Sequence, residues 1–394
     1  MQLSQRQLFL QHVAQTSPAP LLLEIERAEG NYLYDVAGNK FLDLISGISV
    51  SNIGHRHPAV LDAIHKQLDK FMHLMVYGEY VQSPQVKLAT RLAEVIPGFD
   101  SFYFVNSGTE ATEGAIKLAR RFTGRTKLLS FRNAYHGSTT GALSLMSDPY
   151  FREPFEPLLP GIGYLEPEDF QSLENINEET AAVFFEFIRG EAGAIPVSRE
   201  FAAALRARCT AKGVLLIADE IQTGFSRTGK LFSFMDYDCL PDILLMAKGM
   251  GGGMPIGAFA ARKEIMSSLT HDPVLGHITT FGGHPVCCAA SLATLETILQ
   301  MNPEAHVHEI EMIFRKHLVH ENIQGISGKG LLLSADLKKE VINQKVIAAC
   351  IKQGLITDWF LFAPHKLRIA PPLTLTKEEA VWACNVIVEA CNQV

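Results

Sequence analysis

Short apolar runs recur along the first 285 residues, and segments of helical spacing lie between them. Residues 31–35 and 40–44 flank an Ala-Gly-Asn turn and predict a hairpin. Val60, Ile64, Leu68 and Phe71 recur at the spacing of one helix face. Further on, strands are predicted at 101–105, 127–131, 182–187, 214–218, 242–247 and 256–261, with helices starting at Thr109 and near 198–212. That alternation predicts an α/β fold, a mostly parallel sheet flanked by helices with its functional groups at strand ends. After Pro285 the pattern changes. Long helical stretches at 285–300, 304–319, 340–352 and 376–392 surround weaker strands near 330–336 and 366–370, which predicts a second, smaller α/β domain.

Composition narrows this picture. A chain of 394 residues exceeds what one core usually serves, so two domains are expected. Hydrophobic residues make up 47%, charged residues 20%, and 30 glycines fit many tight turns between strands and helices. The net charge of −7 comes without a basic stripe, which argues against nucleic acid as a partner. The opening segment lacks the apolar core of a signal peptide, and no stretch approaches 18 consecutive apolar residues, so no membrane span is expected. Seven scattered cysteines without C-x-x-C spacing read as reduced thiols of a cytoplasmic protein. His55 and His57 bracket Arg56 in a turn and read as structural; no metal site is expected.

Three places carry candidate chemistry. Asn106–Thr109 follows a strand and opens a helix, so free backbone N–H groups and the hydroxyls of Ser107 and Thr109 can face an anion. The same turn also reads as an ordinary capped helix, with Thr109 and Thr112 as cap candidates. Asp219 ends the apolar run LLIAD, where an ionised carboxylate needs a partner. A helix cap or a metal ligand are the other readings. Lys248 ends LLMAK ahead of a glycine-rich stretch, where desolvation favours a neutral, nucleophilic amine; a solvated lysine past a strand end is the alternative.

The segments FVNSGTEATEGAIKLAR from Phe104, AYHGS from Ala134, LLIADEIQTGFSRTGK from Leu215, LLMAKGMGGGMPIGA from Leu244 and TTFGGHP from Thr279 occur in that order. Together they resemble the class III (subgroup II) aminotransferases, the pyridoxal-phosphate enzymes of fold type I that include acetylornithine, ornithine and 4-aminobutyrate aminotransferases. The resemblance runs from about residue 20 to about residue 375. It implies a small domain built from the N-terminal segment 1–55 and the C-terminal segment 286–394, beside a large cofactor-binding domain over 56–285.

Residue by residue, the resemblance implies the following roles. Lys248 would hold pyridoxal 5′-phosphate as a Schiff base and move the substrate proton, and Asp219 would pair with the pyridinium N–H. Ser107, Gly108 and Thr109 would bind the phosphate, helped by Thr280 from the neighbouring subunit of a homodimer whose active site is shared. Gln222 would contact the ring 3′ oxygen, Tyr135 would stack on the ring with His136 in support, and Glu186 would also lie at the cofactor. Arg368, in LRIAPPL, would take a substrate carboxylate, with Glu191 as its exchangeable partner and Tyr77 near the substrate.

Two departures bear on the substrate. Ser138 stands where acetylornithine and ornithine aminotransferases usually carry a second carboxylate-binding arginine. Glu186-Phe187-Ile188-Arg189 replaces Glu-Pro-x-Gln, and Arg189 either supplies the missing charge or points into structure. The expected reaction moves an amino group, from an ω-amino or acetylornithine-like amino acid, to 2-oxoglutarate or a similar keto acid by ping-pong steps. An aminomutase or racemase on the same scaffold is the alternative. A non-catalytic nucleotide-binding protein lacks support from any G-x-G-x-x-G or P-loop.

Overall fold

The computed structural model describes residues 3–394. The chain opens with a helix, Gln5–His12, that buries no side chain. Then come β1 (Ile25–Glu29), β2 (Tyr32–Asp35) and β3 (Lys40–Asp43). The last two are the predicted hairpin. β1 has no apolar alternation and was not predicted; it forms by backbone pairing with β2, and the Arg27 guanidinium lies 3.5 Å from the centroid of the Tyr34 ring.

The central strands are β4 (Ser101–Val105), β5 (Lys127–Phe131), β6 (Ile162–Leu165) and β7 (Thr180–Phe185), then a short ribbon of β8 (Ile188–Arg189) and β9 (Ile195–Pro196), then β10 (Leu215–Asp219), β11 (Ile243–Met246) and β12 (Gly257–Ala261). Seven of them form one sheet in the order β4-β12-β11-β10-β7-β5-β6. β12 runs antiparallel to both neighbours, and the remaining pairs are parallel. In β7, β10, β11 and β12 every residue is buried, because helices cover both faces. The helix Gly108–Thr123 packs Ala111, Ala115 and Leu118 against one face. Its Gly114 is dictated by proximity, since a Cβ there would lie 2.2 Å from the Phe259 ring. The helix Arg199–Lys212 covers the other face through Phe201, Leu205 and Cys209.

The C-terminal part supplies β13 (Ile326–Lys329), β14 (Leu332–Asp336), β15 (Leu355–Ile356), β16 (Trp359–Phe360) and β17 (Ala363–Ile369). β13, β14, β17 and β16 make a four-stranded sheet, whereas β15 adds to the N-terminal meander beside β3. Leu42 and Leu44 therefore share a core with Val307, Phe314, Leu333 and Ile387. The helix Pro285–Met301, on the C-terminal side of Pro285, buries Cys287, Cys288, Leu295 and Ile298 in the large core instead.

Arg227 lies where these parts meet and is fully buried. Its guanidinium donates to the carbonyls of Leu331 (2.9 Å) and Pro371, to Ser46 Oγ (3.2 Å) and to Asn52 Oδ1 (2.6 Å). Burial pulls its pKa down to about 9, opposed by the charge of Asp43. Four acceptors from three separate segments are thus tied to one side chain. All seven cysteines are buried and unpaired. Among the described residues no helix is long and apolar enough to cross a membrane, and no three His, Cys, Asp or Glu side chains are grouped to hold a metal.

Candidate active site

The carboxyl ends of β4, β5, β7, β10 and β11 open onto one edge of the sheet, so the residues that follow them converge. They enclose a cavity of about 460 Å³ lined by Ser107, Gly108, Thr109, Tyr135, His136, Glu186, Glu191, Asp219, Gln222 and Lys248, with Ser138 at its wall. Those ten predicted residues are brought together. Arg368, Arg189, Tyr77 and Thr280 are not among the lining residues.

Asp219 ends an all-buried strand and is only 5% exposed. Its Oδ2 accepts from His136 Nδ1 at 2.7 Å and its Oδ1 from the Ile221 amide at 3.0 Å. Since the carboxylate only accepts, Nδ1 carries the proton of that bond. Burial works against charge on His136, but the hydrogen bond and charge of Asp219 win, and its pKa is raised. The other ring nitrogen, Nε2, is buried without a partner. Glu186, just past β7, accepts from the amides of Gly190 (3.2 Å) and Tyr135 (3.4 Å). Burial pushes its pKa up to about 7; the His136 charge opposes the rise and the Asp219 charge adds to it. Two buried carboxylates thus lie near one imidazole, and only Asp219 is bonded to it.

Lys248 follows β11 with φ at 46°, in the left-handed region that non-glycine residues seldom adopt. Behind it Gly249 is packed against Asn52, whose Nδ2 would sit 2.5 Å from a Cβ. Burial lowers the Lys248 pKa, which favours the neutral amine; Glu191 opposes this and Arg368 assists it. At the opposite wall the helix Gly108–Thr123 begins. Its N-cap is Ser107, whose Oγ accepts from the Glu110 amide at 3.3 Å. Neither predicted cap candidate serves: Thr112 donates to the His136 carbonyl at 2.8 Å, and Thr109 Oγ1 lies 2.7 Å from Thr139 Oγ1. Gly137 has φ of 129°, and a Cβ there would lie 2.3 Å from Thr109 Oγ1. Tyr135 Oη lies 2.9 Å from Ser138 Oγ. Gln222 fills the space against Gly190, where a Cβ would come 1.8 Å from its Oε1.

Arg368, on β17, is 2% exposed and sits behind Glu191, bonded to both Glu191 oxygens at 3.0–3.1 Å. Asp358 also accepts from it, through Nε at 2.8 Å. Sequence reasoning missed Asp358, which belongs to no motif and meets Arg368 only through the pairing of β16 with β17. Arg189 lies on β8, where burial lowers its pKa against the charges of Glu186 and Glu168. Tyr77 lines a second cavity of about 310 Å³ with Gln85, Thr279 and Gly282. Thr280 is exposed beside it.

The sequence pattern of the aminotransferase class-III family matches residues 13–391. An acetylornithine aminotransferase from Archaeoglobus fulgidus is 39% identical over 96% of this chain and 97% of its own length. The acetylornithine aminotransferase of Bacillus subtilis is 38% identical over 93% and 94%. The chain belongs to the class-III aminotransferases. Among solved structures, an ornithine aminotransferase from Toxoplasma gondii, with PLP at partial occupancy in its active site, superposes with a TM-score of 0.91 at 28% identity, covering 98% of this chain and 93% of that one. As a class-III aminotransferase this protein is a transaminase that uses pyridoxal 5′-phosphate. The cavity fits that group. A buried carboxylate, Asp219, at the cavity wall and held in place by His136 suits a pyridinium N–H, and a helix N-terminus across the cavity suits a phosphate.

The raised pKa of Glu186 has a measurable consequence in the cofactor-free protein. A carboxyl titrating near 7 when folded and near 4.5 when unfolded favours the fold below pH 4.5, and that contribution is lost as pH rises through 7. Glu186→Gln is expected to flatten the fall in denaturation midpoint between pH 4.5 and 7. An unchanged slope in the variant would place the titration elsewhere.

Proposed function

We propose that this site moves an amino group from an ω-amino or acetylornithine-like amino acid to 2-oxoglutarate or a similar keto acid in ping-pong half-reactions. One observation carries the reading: Lys248, with its lowered pKa, and Asp219, bonded to His136, face the same cavity from the ends of adjacent strands. When bound, pyridoxal phosphate supplies an aldehyde that takes up the amino group and a ring that receives the electrons of the broken C–H bond.

The residues divide the rest of the work. Lys248 Nζ would hold the cofactor through its aldehyde group, and once freed by an incoming amine this neutral side chain would be placed to take the proton from the amine-bearing carbon of the substrate. Asp219 would accept the ring N–H, and His136, bonded to its Oδ2, holds the carboxylate in place. The amides at the start of the helix Gly108–Thr123, with the Ser107 and Thr109 hydroxyls, receive the phosphate. Tyr135 offers its ring face, Gln222 an amide for the 3′ oxygen, and Glu186 closes the side beside His136. Arg368 takes the α-carboxylate of the acceptor when Glu191 releases it, because a guanidinium fork pairs with a carboxylate through two bonds. Without that exchange Glu191 keeps Arg368 neutralised, and an uncharged substrate end can occupy the same place.

We infer further that the chain works as a homodimer whose two sites are shared. Val86, which lines the cavity that holds Tyr77 and Thr279, is 48% exposed, and Phe281 in the same loop as Thr279 is 54% exposed; apolar side chains left open there need covering. Thr280, in the same loop, would then reach the phosphate across the interface. The mixed core of Leu42 and Leu44 with C-terminal residues supports a small domain made from both ends of the chain.

The donor is tested by single half-reactions of the cofactor-loaded enzyme, read as loss of the bound cofactor's visible band. Acetylornithine, ornithine, lysine, 4-aminobutyrate, β-alanine, aspartate and glutamate make up the panel. Glutamate and one ω-amine are expected to react. Reaction with none, or return of an amine as its own isomer, would favour an aminomutase or racemase. For the acceptor, Arg368→Ala is expected to raise KM for 2-oxoglutarate by a factor equivalent to about 2–5 kcal/mol; an unchanged KM would place the carboxylate elsewhere.

A further inference from the structure

The guanidinium of Arg368 holds two carboxylates, and they are not equivalent. Glu191 spans the outer edge, accepting from Nη1 at 3.1 Å and from Nη2 at 3.0 and 3.1 Å. It faces the cavity, and the Leu361 amide at 3.0 Å and the Gln222 side chain at 3.4 Å hold it as well. Asp358 sits on the other edge, accepting from Nε at 2.8 Å, and is not among the cavity-lining residues. Backbone pairing sets this second contact, since the Arg368 amide donates to the Asp358 carbonyl at 2.9 Å. The Trp359 carbonyl takes a further Nη2 proton at 3.0 Å, and the Phe360 ring lies beneath the guanidinium at 4.2 Å.

An incoming carboxylate can reach Arg368 only along the outer edge, where Glu191 must leave. Asp358 is off that path, so nothing in the exchange removes it. With Glu191 paired, Arg368, Asp358 and Glu191 together carry one negative charge, and a carboxylate that takes the place of Glu191 raises this to two, because the released Glu191 keeps its own. Without the Asp358 charge the same exchange would end at one.

We propose that Asp358 is a specificity-determining residue, a resident counter-charge that stays on Arg368 and weakens its hold on the α-carboxylate of 2-oxo acids and 2-amino acids. The inference rests on reading Arg368 as the carboxylate anchor. It favours ligands that leave Glu191 in place, those with an uncharged end at this position, over ligands that bring a carboxylate to it. It also assists release of the carboxylate product, while the Nε hydrogen bond keeps the guanidinium oriented.

Charged groups facing Asp358 are Arg368 on β17, Glu191 from the loop after β8, and Asp43 on β3. Burial pushes the Asp358 pKa up to about 6, Arg368 opposes the rise and Glu191 adds to it. The counter-charge is therefore removable by pH as well as by mutation.

Asp358→Asn keeps an oxygen for the Nε–H and removes the charge. Steady-state kinetics of the holoenzyme are expected to show KM for 2-oxoglutarate about tenfold lower in this variant, near 1.4 kcal/mol. In the wild-type enzyme KM for 2-oxoglutarate should fall as pH is lowered through 6, and the Asn variant should lack that step. A KM that rises or stays constant in Asp358→Asn, or a pH step that survives in it, would overturn the proposal. Arg368→Ala separates the two levels of the argument. If it raises KM while Asp358→Asn has no effect, only the role of Asp358 is wrong; if it has no effect, the anchor itself is wrong and this inference falls with it.

Discussion

Asp219 closes a strand whose every residue is buried, and an ionised carboxylate is tolerated there because His136 donates to one oxygen and the Ile221 amide to the other. Much of the site follows from that requirement. His136 must lie under the turn after β5, which sets Tyr135 and Gly137 beside the first turn of the helix Gly108–Thr123. Thr112 of that helix in turn donates to the His136 carbonyl. One electrostatic need thus locks the wall that carries Asp219 and His136 to the wall formed by the start of the helix Gly108–Thr123.

A second set of constraints joins Lys248 to Arg368. Arg227 binds main-chain carbonyls at Leu331 and Pro371 and also Asn52, and Asn52 packs against Gly249 next to Lys248. Pro371 lies three residues from Arg368. The segment carrying Arg368 and, through Asn52, the segment carrying Lys248 are therefore held by the same buried guanidinium.

Much of the large sheet was legible because fully buried strands read as uninterrupted apolar runs ended by polar residues, as in 215–219 and 243–246. The long C-terminal helices were equally plain. β1, β6, β8, β9, β13, β15 and β16 were not predicted, since strands so short or so exposed are defined by their pairing partners rather than by their own composition. The choice of helix cap failed for a related reason. Ser107, Thr109 and Thr112 are chemically interchangeable at that level, and only the path of the chain leaving β4 decides which hydroxyl meets the free amides. Asp219 and Lys248 were readable as candidates because a charge at the end of an apolar strand is costly; resemblance to the class-III family then assigned their roles. Asp358 and Arg227 had no such signal. The partners of Arg227 are distant in sequence, and half of them are backbone carbonyls that any residue could present, while Asp358 meets Arg368 only through the pairing of β16 with β17.

The account turns on the claim that Asp219 serves the ring nitrogen of the cofactor. Asp219→Asn keeps the size and hydrogen-bonding capacity of the side chain while removing the charge. Its half-reaction with glutamate, followed in single turnover with the cofactor retained, is expected to slow on the order of 10³-fold, about 4 kcal/mol of transition-state stabilisation. A rate within tenfold of the wild-type value, with the cofactor fully bound, would contradict it.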